Sequence, residues 1–105
     1  MLKSDGKWIR DEKNRVVILR GVNCGGDSKL PPFEPFQTEK SAEQIRSWGV
    51  NVVRYVTVWE AIEPEPDVIN KEYIKKMKEK VRWLTRRSIY VIVDMHQDLY
   101  ARLAV

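Results

Sequence analysis

The sequence predicts an α/β fold in which an amino-terminal β-hairpin leads into the order β-α-β-α-β. Three observations carry this expectation. The runs "RVVILRGVN", "VNVVRYVTVW" and "IYVIVDM" are nearly continuous in apolar residues, as strands of a helix-covered parallel sheet are. Between them lie two segments whose apolar residues recur at spacings of three and four, the period of a helix. Clusters rich in Gly, Pro, Asn and Asp punctuate the two kinds of segment.

The elements follow in order. "KWIR" and "RVVILRGVN" flank the polar stretch "DEKN", so the chain should turn there and pair with itself before the first buried strand. Residues 24–37, "CGGDSKLPPFEPFQ", hold too many Gly and Pro for a regular element and are read as a loop. Thr38 or Ser41 can cap the first helix, and "SAEQ" fits a capping box. Ala42, Ile45 and Trp48 mark its apolar stripe and Gly49 its end. After the second strand, "EAIEPEPDVIN" is read as a second loop. Asn70 caps the next helix, where Ile74, Met77, Val81 and Leu84 form the apolar stripe. Parallel strands joined in this way need right-handed crossovers.

Composition narrows the function classes. A chain of 105 residues has room for one small domain, and its apolar share of 43% is that of a globular protein. The net charge of +4 is concentrated in "NKEYIKKMKEKVRWLTRRS", read as a solvated helix face, so no nucleic-acid partner is expected. Cys24 is the single cysteine and cannot form an internal disulfide. "MLKSDGKWIR" has no apolar core of signal-peptide length, and no run approaches the roughly 20 apolar residues of a membrane span. A soluble chain is expected, cytoplasmic if Met1 is its true start.

Strand parity then locates the chemistry. Side chains alternate between the faces of a strand. In the third strand Ile89, Val91, Val93 and Met95 form an apolar set expected to meet the helices. Tyr90, Ile92, Asp94, His96 and Asp98 form the other set. In the second strand Arg54 shares a face with Val52, Val56 and Val58. A charged side chain in an apolar strand needs a partner, and Asp94 on the neighbouring strand is available. Ligand sites of parallel α/β proteins lie beyond the carboxyl ends of the strands, where Asp94, His96, Gln97 and Asp98 cluster. A ligand site and a purely local hydrogen-bond network both remain open on this spacing.

Four stretches together, "RGVN", "SKLPPF", "WGVNVVRYVTVWEAIEPEPDVINKEYIKKM" and "YVIVDMHQDLY", resemble the opening of a glycoside hydrolase family 5 enzyme. Within that cellulase-like family the "DMHQD" strand end followed by Tyr most resembles the endoglycoceramidase-like branch. The resemblance implies a TIM (β/α)8 barrel that cleaves glycosidic bonds with retention. A barrel of this kind takes about 250 residues, so residues 1–105 correspond to its amino-terminal part, about three of eight strands, with no second domain.

Retaining cleavage needs two carboxyl groups about 5–5.5 Å apart. The family places its nucleophile and acid/base Glu at the ends of the fourth and seventh strands, so neither is expected here. Glu60, Glu63 and Glu65 show no spacing that would replace them. The resemblance makes Arg54 an electrostatic support of the nucleophile, and His96 a subsite residue that hydrogen-bonds a sugar hydroxyl. It makes Asp98 and Lys29 further contacts to the sugar. Trp59 is read as packing behind the strand end in preference to a sugar platform. No metal and no cofactor are expected, because ligands from one strand fan along it instead of converging. The expected partner is a carbohydrate or glycolipid substrate. The alternatives are a non-catalytic fragment that self-associates through exposed strand edges and binds sugar only, and a nucleic-acid binder acting through the basic second helix.

Overall fold

The computed structural model describes residues 1–97, so Asp98 lies outside the described residues. Strand β1 (Lys3–Ser4) pairs antiparallel with β2 (Ile9–Arg10). The turn at "DEKN" forms. Asp11 Oδ1 accepts from the backbone N–H groups of Lys13 and Arg15, and Arg10 bridges back to Val16. The return arm is shorter than the sequence suggests, because Val16 and Ile18 point to solvent and regular pairing in the first parallel strand begins only at β3 (Gly21–Cys24).

Strands β3, β4 (Val52–Thr57) and β5 (Tyr90–Met95) form a three-stranded parallel sheet in that order. Asn23 stands opposite Arg54, Arg54 opposite Ile92, and Val56 opposite Asp94. Gly21 is required at the first of these joins. A Cβ there would lie 1.8 Å from the Val52 carbonyl oxygen.

Helices α1 (Glu39–Ser47) and α3 (Lys71–Thr85) cover one face of the sheet. Ala42 and Ile45 of α1 meet Val53 and Tyr55 of β4, with Leu84 and Ile89 completing the core. Phe36 sets its ring edge against Tyr55 at 6.1 Å. Parity therefore assigns the faces of β4 correctly, with Val53, Tyr55 and Thr57 all buried toward the helices.

Several local expectations are corrected. Thr38 is the N-cap of α1 but makes no side-chain cap bond, and Ser41 lies within the helix, so the capping box does not form. Trp48 is 59% exposed, because the helix ends at Ser47 and Gly49, at φ +82°, turns the chain away. The second loop contains a one-turn helix, α2 (Trp59–Ile62). Asn70 caps α3 as expected, its side chain accepting from the Tyr73 N–H at 3.0 Å. The fully buried positions of α3 are Tyr73, Lys80 and Leu84, with Met77 and Val81 at the margin. Ile89 and Val91 of the third strand meet the core, but Val93 and Met95 are exposed because no described element covers that end of β5.

Candidate functional site

On the sheet face opposite the helices, three polar side chains converge at the carboxyl ends of β4 and β5. Arg54 Nη2 lies 2.8 Å from Asp94 Oδ2, and His96 Nδ1 lies 3.0 Å from the same oxygen. The parallel register explains the first contact. Arg54 faces Ile92, and Asp94 is two residues further along β5, on the same side of the pleat. The backbone carries His96 into place by continuing the ladder one bond past β5, His96 N–H donating to the Thr57 carbonyl at 2.9 Å.

The shared acceptor fixes the proton on the imidazole. Arg54 Nη2 and His96 Nδ1 are 3.4 Å apart, long for a hydrogen bond, whereas each is at bonding distance from Asp94 Oδ2. A bare Nδ1 lone pair would face the carboxylate, so Nδ1 carries the hydrogen and donates it to Asp94. The Nε2 lone pair is then the acceptor of the neutral ring. Exposure keeps the ion pair itself modest in strength, since the Arg54, Asp94 and His96 side chains are 43%, 21% and 31% exposed.

Two further contacts shape the rim. Gln97 Oε1 accepts from the Trp59 N–H at 2.7 Å, which joins the end of β5 to the start of α2. The Trp59 indole is 41% exposed and donates through Nε1 to Glu63 at 3.0 Å. Lys29 ends a short 3-10 turn, Gly26–Lys29, that follows β3 and lies against β4. Asn23 lies on the same sheet face as Arg54, opposite it in register. The structure thus assembles Arg54, Asp94 and His96 and places Lys29 on the adjoining turn.

Behind the sheet, a buried polar chain fixes the loop after that turn. Thr57 Oγ1 and Tyr73 Oη are 2.8 Å apart, and Tyr73 Oη donates to the Phe33 carbonyl at 2.7 Å. Lys80 and Glu34 form an ion pair with both side chains less than one-tenth exposed. The sequence carried a signal for this pair that its apolar pattern hid. Lys80 falls on the stripe Tyr73, Met77, Lys80, Leu84, at helical spacings that turn it inward.

Parallel β/α units with a polar cluster at the carboxyl ends of the strands define part of a (β/α) barrel whose site opens at that end. The chain belongs to glycosyl hydrolase family 5, since the cellulase family model matches residues 8–104. It is 33% identical to a glucosylceramidase of Aspergillus fumigatus over 98% of its own length and 17% of that protein. Endoglycoceramidase I of Rhodococcus hoagii is 32% identical, with 92% of this chain and 20% of the relative covered. Endo-glycoceramidase II from Rhodococcus sp., solved as a ganglioside GM3 complex, matches with a TM-score of 0.75 and 34% identity over 88% of this chain and 21% of that one. The chain spans about a fifth of the length of these relatives, and its three-stranded sheet is therefore a partial TIM barrel.

Proposed function

We propose that residues 1–105 form one partial catalytic domain that supplies the floor of the sugar subsite in a retaining β-glycosidase acting on glycolipids, glycosphingolipids among them. The observation that carries this reading is the convergence of Arg54 and His96 on Asp94 at the strand ends of the open sheet face. In this reading His96 presents Nε2 to a sugar hydroxyl, while the Arg54 cation supports the negative charge of the nucleophile. Asp98 and Lys29 hold neighbouring hydroxyls. The nucleophile and acid/base Glu belong to strands beyond the three present here, so the 105-residue chain alone does not turn over substrate. Support for a glycolipid comes from the matched relatives, two of them endoglycoceramidases and one seen with a ganglioside.

The test is a chimera in which this chain replaces the matching segment of the Rhodococcus sp. endo-glycoceramidase II. Hydrolysis of GM3 by the chimera, its fall by about a hundredfold on His96→Ala, and no turnover by the isolated chain are expected, a loss of about 2.7 kcal/mol of transition-state stabilisation. Turnover by the isolated chain, or a chimera indifferent to His96→Ala, overturns the reading.

A second reading has its own observation, the exposure of Ile92, Val93 and Met95 on β5. It is association of copies through that strand without turnover. Light scattering from a stable monomer at high concentration removes it.

A further inference from the structure

Lys76 apart, which lines a different groove with Phe33, Glu34 and Tyr73, the basic residues of α3 divide into two kinds. Lys80 is buried against Glu34, and Arg86 and Arg87, which follow the helix, pair with Glu39 and Glu43 at 3.0–3.3 Å. These cations hold the fold together. Lys71, Lys75, Lys78 and Arg82 do not. All four are exposed, and no carboxylate among the described residues forms an ion pair with any of them.

Their positions are regular. Spacings of four, three and four residues place them in one line on the helix, on the side opposite buried Tyr73, Lys80 and Leu84. The line is about 16 Å long at the helical rise. Four of the five residues lining one shallow groove of about 280 Å³ are these cations, and Ile74 is the fifth. The helix carboxylates Glu72 and Glu79 sit roughly a quarter-turn round the axis from the stripe. Four uncompensated charges in a row repel one another and contribute nothing to packing.

We propose that this stripe docks the protein on an anionic lipid surface. A flat layer of anionic headgroups meets all four cations of a straight stripe at once, and Ile74 adds an apolar flank. Clusters of four or more Lys and Arg on one helix are attracted to such a surface at about 1 kcal/mol per charge. Single-stranded nucleic acid is the weaker match, because no aromatic side chain lines the groove to stack a base. The stripe lies on the outer helix wall, away from the sheet face that carries Arg54, Asp94 and His96. The preference for a membrane over other polyanions rests on the glycolipid reading above. The stripe itself does not.

The test is co-sedimentation of the 105-residue chain with vesicles. Phosphatidylcholine vesicles with and without phosphatidylserine, neither containing glycolipid, test the stripe. Binding to the serine lipid, lost as salt rises, is expected. Replacing Lys71, Lys75, Lys78 and Arg82 by Gln should weaken it by about a thousandfold. A charge-matched control replaces Lys3, Lys7, Lys13 and Lys40 by Gln, and it should stay within a few fold of the parent. Both variants bring the formal charge from +4 to zero. Equal loss in the two variants, no preference of the parent chain for anionic vesicles, or tighter binding to an RNA oligonucleotide overturns the proposal. Neutral vesicles carrying glucosylceramide bear only on the sugar site, so failure there leaves the stripe standing.

Discussion

Arg54 and His96 are each held closer to Asp94 than to each other. They bond to one oxygen of Asp94, from 2.8 and 3.0 Å, and their own 3.4 Å separation follows from that sharing. The carboxylate therefore holds a cation in place and selects the tautomer of the neighbouring ring.

That selection can be measured. In 15N-labelled chain at pH 8.5, the imidazole nitrogens of His96 should report a protonated Nδ1 and an acceptor Nε2. Asp94→Ala should remove the preference while changing stability by only about 1 kcal/mol, since the pair is part-exposed. An unchanged nitrogen spectrum in the variant would show that Asp94 does not set the tautomer.

The Arg54–Asp94 contact was legible in the sequence because parity and parallel register act together. A charge in an apolar strand demands a partner, and the adjacent strand offers a carboxylate of matching parity. Strand and helix order was legible because the period of the apolar residues changes between segments. Other features were hidden for physical reasons. The one-turn α2 is too short for its period to show, and its starting N–H is satisfied from afar by Gln97. Trp48 fits the helical spacing but falls just past the last turn. Lys80 reads as surface charge until Glu34, far away in sequence, is seen to neutralise it.

Breaking that pair on one side should be severe. Glu34→Gln leaves the Lys80 ammonium buried without its carboxylate and should destabilise the chain by about 3 kcal/mol, a large part of the total for so small a domain. Glu34→Leu combined with Lys80→Met removes both charges and should recover most of the loss. Urea midpoints decide the matter. A double variant no more stable than the single one would mean that the pair does more than neutralise itself.

Alkaline pH should unfold the chain through its helix-facing polar groups. Burial raises the Cys24 thiol above its ordinary 9.0. Burial also raises Tyr55, helped by Tyr73 and Glu34, and it raises Tyr73 despite the opposing hydrogen bond to Thr57. Each group is held neutral in the fold and ionises sooner in the unfolded chain. Above about pH 9 for Cys24 and pH 10 for the tyrosines, the unfolded state binds fewer protons, so stability falls as pH rises. Tyr55 Oη is buried without a hydrogen-bond partner among the described residues, so Tyr55→Phe should flatten the loss between pH 10 and 11.5 at little expense at pH 7. A slope identical to the parent's would show that Tyr55 ionises alike in both states.

Two glycines separate two kinds of backbone demand. At Gly49 a Cβ meets nothing within 4 Å, but φ is +82°, so Gly49→Ala should destabilise the chain by about 1 kcal/mol through conformation alone. At Gly21 the backbone is not left-handed, yet a Cβ would stand 1.8 Å from the Val52 oxygen and 2.5 Å from its Cγ1. Gly21→Ala must push β3 away from β4, and the strand that carries Asn23 toward Arg54 would lose its register. A destabilisation of about 3 kcal/mol is expected, as for overpacking against an unyielding wall. Hydrogen exchange supplies the discriminating measurement. Amides pairing β3 with β4 should lose protection in Gly21→Ala before those pairing β4 with β5, whereas Gly49→Ala should lower both together. Uniform loss in the Gly21 variant would mean that the three strands open as one unit and that the close approach of β3 is not a local constraint.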